Sequence, residues 1–401
     1  MRFFLGLLIT IGVFSSTTHL KAGVPGSGGN LQVVGEARNK LIPIALMGYS
    51  GEVASVLKFD LEVMGCKIVP ESEASFILKG AVEGAVKGAL MDKAGNFGFN
   101  RKYAGGVLRD QAHALSDDVI KALTGKPGVA QTRVLFKMKT GKRSEEVFLS
   151  DFDGHKPVAL TNDKTLVGSP KWSPDNSEVY YTLWLKRGGI ENTTVLRQNM
   201  KTGARDVMAR YRGLNTGGVL SPQGFLAMIL SKGGSPDVYV APSNWEFMKN
   251  LKGEGLNRIT ATKEEESGVS WSPNGQWLCF ATRARGKRML VKVAAQGGNM
   301  IRVPTNGVLN PSEPSWSPDG KWIAFTSQMG GFNVCVVPSQ GGEAKVIASG
   351  EGPTWAPNSR NLIFTRRGVN KRGLAIVDVP TKQVKMLPAF AGSASQPAWG
   401  K

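Results

Sequence analysis

Trp316-Ser-Pro-Asp-Gly320 decides the fold, because the chain repeats it. Related passages are Trp172-Ser-Pro-Asp-Asn, Leu220-Ser-Pro-Gln-Gly, Trp271-Ser-Pro-Asn-Gly and Trp355-Ala-Pro-Asn-Ser, and Trp399 stands alone near the C-terminus. Successive anchors are 48, 51, 45, 39 and 44 residues apart. That period is typical of propeller blades of four strands each. Ser-Pro-Asp-Gly has the residue order of a type I turn, with proline at the second position and glycine at the fourth. Each anchor should therefore end a short strand and lead into a β-rich run such as Trp322-Ile-Ala-Phe-Thr-Ser. A glycine hairpin then leads to Phe332-Asn-Val-Cys-Val-Val, and Ser339-Gln-Gly-Gly turns into Ala344-Lys-Val-Ile. Such runs bounded by turn residues read as antiparallel meanders. The large indoles should pack between neighbouring blades.

The blade count follows from the two ends of the repeat. Three strands precede the first anchor, over 133–138, 147–151 and 157–161, and they lack an opening strand. One strand, Gln396-Pro-Ala-Trp399, is left over after the last full blade. Pairing the fragments gives six blades and removes open sheet edges. We expect an all-β six-bladed β-propeller over 131–401, closed by the C-terminal strand.

Residues 31–130 read as a separate α/β domain. Ile42-Pro-Ile-Ala-Leu, Phe76-Ile-Leu and 82–90 look like strands. Val53, Val56, Leu57 and Leu61, and then Ala112, Leu115, Val119 and Leu123, have helical spacing. Gly125, Lys126 and Pro127 should end the second helix. Arg2 followed by an apolar run to Phe14 reads as a secretory signal, with cleavage expected after Ala22. The run is too short to span a bilayer. Residues 23–30 are glycine-rich and read as a flexible arm.

The net charge of +19 is concentrated in the repeat region, where 36 basic residues face 20 acidic ones from Gln131 onward. Cys66, Cys279 and Cys335 are an odd number, so a disulfide framework is not expected. Buried free thiols suit them better than a Cys279–Cys335 bridge. A hydrolase would need a nucleophile beside a base, yet Gly48-Tyr-Ser-Gly lacks the spacing of a nucleophile elbow. The chain has three histidines, and His113 and His155 are expected far apart. No metal-ligand spacing, calcium loop or phosphate-binding loop is complete. No catalytic residue, metal or cofactor is therefore assigned. The alternative is an exported propeller hydrolase or lyase whose site goes unrecognised.

In a propeller, the loops entering each inner strand share one face with the second-to-third-strand hairpins. Ser169, Gly217, Gly268, Ser312, Glu313 and Gln396 should accordingly ring one mouth of the channel. The hairpins of that face carry Arg283, Arg285, Lys287 and Arg288 on blade 4 and Arg366, Arg367, Lys371 and Arg372 on blade 6. Lys139, Lys142, Arg143, Lys186, Arg187 and Lys232 lie on blades 1 to 3. A basic rim could serve solubility or steer an acidic partner. Nucleic acid is disfavoured, since no aromatics interleave the charges and the chain reads as exported.

Arg101-Lys-Tyr-Ala-Gly, Leu115-Ser-Asp-Asp-Val-Ile-Lys-Ala-Leu-Thr-Gly and Arg133-Val-Leu-Phe resemble the passage joining the two domains of the TolB family. Leu149-Ser-Asp-Phe-Asp-Gly resembles that family's first-blade turn, and Ile42-Pro-Ile its opening strand. Leu220 departs from the pattern, and the glycine-rich start is longer than the family's. The resemblance implies a periplasmic, non-enzymatic, monomeric component of a Tol-Pal system. It implies a Pal-like peptidoglycan-associated lipoprotein at the channel mouth and a TolA-like inner-membrane protein at the N-terminal part. It also implies a peripheral link to the outer membrane through partners, and a part in outer-membrane integrity and in drawing that membrane inward at division.

Overall fold

A computed structural model of the protein describes residues 39–187, 190–284 and 286–401. The expected signal sequence and arm, over 1–22 and 23–30, lie outside the described residues. No helix among the described residues is long and apolar enough to cross a membrane.

The front region is a five-stranded sheet with two helices. Its strand order is Cys66–Ile68, Ile42–Met47, Phe76–Val82, Val86–Asp92 and Phe97–Tyr103. The first three strands pair in parallel and the rest are antiparallel. Helix α1 (Gly51–Val63) and helix α2 (Leu108–Thr124) carry the expected apolar stripes. Leu57, Leu61 and Leu115 are fully buried, each stabilising the fold by about 1.5–3 kcal/mol as an upper figure. Gly125, at φ 76°, ends α2 in the left-handed conformation that glycine adopts without strain. The run 82–90, expected as one strand, is a hairpin. Its turn falls at Glu83–Ala85, where Gly84 takes φ 65°. The strands Cys66–Ile68 and Phe97–Tyr103 were not expected.

The repeat region forms six four-stranded antiparallel blades. Blade 1 is composite. Its inner strand is Ala394–Trp399, followed outward by Arg133–Gly141, Ser144–Asp151 and Val158–Ala159. The closing register pairs Ala394 with Met138 and Trp399 with Val134. Blades 2 to 6 begin with the inner strands Val167–Trp172, Asn215–Leu220, Ser267–Trp271, Pro311–Trp316 and Glu351–Trp355.

The repeated turn forms for local reasons. The Gly320 amide donates to the Ser317 carbonyl at 2.9 Å, closing the turn. The Ser317 hydroxyl donates to Asp319 at 2.6 Å and accepts from the Trp322 amide at 2.9 Å. The same serine bonds recur at Ser173 and Ser272. Three anchor indoles tie blade to blade. Trp172, Trp271 and Trp355 donate to the inner-strand carbonyls of Ala398, Val219 and Ser315 in the preceding blade.

The front region packs on the turn face of blades 1 and 6, and one apolar core runs through both. It joins Leu57, Leu61 and Met64 to Phe136, Phe152, Ile363, Ile376 and Trp399. Asn361 donates to the Val63 carbonyl at 2.8 Å, and Lys385 pairs with Glu62 at 2.5 Å. At the blade 1 edge, His113 bonds Asp60 at 2.8 Å, and Arg109 bridges Glu52 to Asp153. Burial depresses the His113 imidazolium, but the Asp60 carboxylate beside it lifts the pKa above its ordinary value overall. His113 and His155 were expected far apart. Both instead flank Asp153, which lies 3.9 Å from the His113 ring and accepts the His155 amide at 3.0 Å. Docking of the two regions brings them together. All three cysteines are free and buried.

Candidate partner-binding site

Each inner strand carries a bulge three residues before its anchor, where the register with the second strand shifts. The bulged residues are Gln396, Ser169, Gly217, Gly268, Glu313 and Gly352, in blades 1 to 6. Their φ angles are 51°, 52°, 77°, 65°, 52° and 63°. Side chains rarely adopt such angles, and residues held there commonly cluster at ligand sites. Proline follows the bulge in four blades, as Pro397, Pro170, Pro314 and Pro353. At Gly268 a Cβ would come within 3.2 Å of Glu313 Cα and Pro314 Cδ, so glycine fits where adjacent blades converge.

The ring is braced from blade to blade. The Ser169 amide donates to Gln396 Oε1 at 2.8 Å, and the Gln396 amide donates to Thr365 Oγ1 at 3.0 Å. The Gly352 amide donates to Glu313 Oε2 at 3.0 Å, and the Thr326 hydroxyl reaches the same oxygen at 2.7 Å. The hydroxyls of Thr182 and Thr216 meet at 2.9 Å. Together the bulges line a cavity of about 290 Å³.

Five of the six residues expected at this mouth line the cavity: Ser169, Gly217, Gly268, Glu313 and Gln396. Ser312 lies one residue off the ring, with its hydroxyl toward the Thr326 carbonyl at 3.5 Å. The residue sequence reasoning missed is Gly352. Counting three back from Trp355 would have found it. Glu266 also lines the cavity. It is 1% exposed, and its carboxylate accepts from the Thr262 hydroxyl at 2.7 Å. Burial, and then the neighbouring Asp237 carboxylate, push it up to about 7. Arg258 holds Asp237 itself at 2.5 Å.

The basic hairpins do connect second and third strands, but their charges are unequally free. On blade 6, Arg367 and Arg372 both pair with Glu351, at 2.9 and 3.4 Å. Lys371 donates to the Phe390 carbonyl at 3.0 Å, and Arg366 leans on Met386. On blade 3, Lys232 donates to the Lys252 carbonyl. Lys139, Lys142, Arg143, Arg283, Lys287 and Arg288 are exposed and make no ion pair among the described residues. Arg285 lies outside the described residues. No group of three metal-ligating side chains occurs among the described residues.

Comparison with known proteins places this arrangement. The description "TolB beta propeller domain" matches residues 120–401. A Tol-Pal system protein TolB from Marinomonas sp. (strain MWYL1) is 34% identical over 111 residues, 27% of this chain and 25% of the relative. One from Nitrosomonas europaea is 28% identical over 221 residues, 47% of this chain and 51% of the relative. The chain thus spans a quarter to about half the length of these curated relatives. The crystal structure of TolB from Acinetobacter baumannii superposes with a TM-score of 0.77 at 18% identity, covering 95% of this chain and 99% of that one. That likeness carries the fold, including the α/β region in front. The chain belongs to the TolB beta-propeller domain family.

Proposed function

We propose that the chain is a periplasmic, non-enzymatic binding and scaffold protein of a Tol-Pal system. It binds a Pal-like peptidoglycan-associated lipoprotein at the channel mouth and a TolA-like inner-membrane protein through its N-terminal part. The observation that carries this reading is the ring of six bulges. It leaves a braced, concave and open mouth on the face away from the front region. A concave site with a few fixed polar groups is where a partner's protruding segment docks.

The test is capture from an envelope extract on the immobilised chain. A peptidoglycan-associated lipoprotein should be retained, and Gly268→Trp, which fills the mouth, should release it. Retention of no such lipoprotein, or equal retention by the filled variant, would overturn the mouth assignment.

A further inference from the structure

The residue just before each anchor lies at one level of the inner strands. At that level blades 2 to 6 and then blade 1 present Lys171, Val219, Ser270, Ser315, Thr354 and Ala398. Five are small or neutral and one is a lysine. Ser270 and Thr354 turn their hydroxyls onto the next blade, to the Trp316 amide at 3.0 Å and the Pro397 carbonyl at 2.9 Å. Lys171 reaches no such partner. It lines the 290 Å³ cavity, and its ammonium makes no hydrogen bond or ion pair among the described residues.

Lys171 is half-buried, and the fold gives its ammonium no protein partner among the described residues. Ammonium groups removed from bulk water are ordinarily paired or hydrogen-bonded. The chain itself shows the ordinary case. Lys292 is buried, and its ammonium is held by Gln340 Oε1 at 2.7 Å and the Ser339 carbonyl at 3.3 Å. Lys171 keeps part of its area exposed because the cavity is open, yet protein surrounds it and burial pulls its ammonium below the usual lysine range. The carboxylate that acts on it from a distance is Glu313, whose Oε2 is already held by Thr326 and the Gly352 amide. The surrounding Pro170, Pro314, Pro353 and Pro397 rings supply no hydrogen-bond donor or acceptor from their side chains. The cavity has room for several waters' worth of ligand at roughly 30 Å³ each.

We propose that Lys171 forms the floor of a carboxylate-binding subsite within the channel, entered by an acidic side chain or terminal carboxylate of the protein partner. This deepens the mouth reading and rests on it. The free cations on the same face, among them Arg283, Lys287 and Arg288, favour approach of an acidic segment. The pairing is lysine to carboxylate, a charge-assisted hydrogen bond roughly twice as strong as a neutral one.

Lys171→Met and Lys171→Arg test it, together with the soluble domain of the captured lipoprotein and with glutarate. Lys171→Met should weaken the lipoprotein about tenfold or more in calorimetric titration, with Lys171→Arg recovering most of the loss. Tens of millimolar glutarate, at matched ionic strength, should raise the melting temperature of the parent and not of Lys171→Met. Without ligand, Lys171→Met should melt at or above the parent, because it removes an unpaired cation. Melting well below the parent would make Lys171 a structural residue and overturn the subsite. Unchanged lipoprotein affinity in a folded Lys171→Met would also overturn it, while leaving the mouth reading intact. Glutarate stabilisation that needs Lys171, with no lipoprotein bound by the parent, would keep the subsite, name a free carboxylate as its occupant and reject the protein partner.

Discussion

The two faces of the propeller use the same kinds of side chain to opposite ends. On the turn face of blades 1 and 6, charges are paired. Asp60, His113, Arg109 and Asp153 engage one another between the front region and blade 1, and Lys385 is tied to Glu62. On the mouth face, charge is held in reserve. The Lys171 ammonium has no partner among the described residues, several hairpin cations are free, and the left-handed backbone of Ser169, Glu313 and Gln396 is braced by neighbouring blades. The difference teaches that burial alone does not separate structural from functional polar groups. What separates them is whether the fold supplies a counter-charge: Arg109 and His113 have carboxylate partners, although Asp60 Oδ1, Arg109 Nε and His113 Nε2 have no hydrogen bond.

The largest break in this contrast comes from the strand both faces share. Gln396 belongs to the mouth ring, and Trp399 donates to Thr132 at the front-region junction at 2.7 Å. Deleting Gln396–Lys401 should abolish the cooperative thermal transition and promote aggregation, since two strand edges open at once. An unchanged melting curve would refute closure by this strand. Next in size is His113→Ala, which leaves Asp60 buried without its partner. Stability in urea should fall by about 3 kcal/mol or more, whereas Lys171→Met on the other face should cost nothing. A loss no larger than that of a surface pair, about 1 kcal/mol or less, would mean that the seam is solvated. The smallest effect belongs to the rim. Changing Arg283, Arg285, Lys287 and Arg288 together to glutamine should lower the partner's association rate several-fold at low salt and barely alter its dissociation. Steering acts before contact. Parent and variant should converge at 1 M salt, where the Debye length is about 3 Å. Equal rates at low salt would assign the rim to solubility.

What was legible in the sequence was what is local. The Ser317-Pro-Asp-Gly turn closes on itself within a few residues, so its spacing exposed the blades and their number. The mouth was legible through the same anchors, and Gly352 sits at the same three-residue offset from Trp355. Other features depend on distant partners. Cys66–Ile68 is a three-residue strand that exists because Ile42–Met47 lies beside it. The approach of His113 to Asp153 crosses from the front region to blade 1, and no periodicity encodes it. Nothing in the sequence singled out Lys171, because its meaning lies in the five neutral residues that share its level.

Closure by the last strand also sets an order of events. Thr132 and Trp399 are 267 positions apart and share a hydrogen bond. Contacts of such separation form late and make folding slow. Chains emerge from synthesis with the N-terminus first. Blade 1, and the part of the front-region core that Trp399 completes, must therefore stand open until Ala394–Trp399 arrives. A premature stop that removes Gln396–Lys401 leaves blade 1 without its inner strand, while one that removes sixty residues takes blade 6 as well. Both products expose unpaired strand edges, so pairing of Ala394–Trp399 with Arg133–Gly141 is the event that completes the ring.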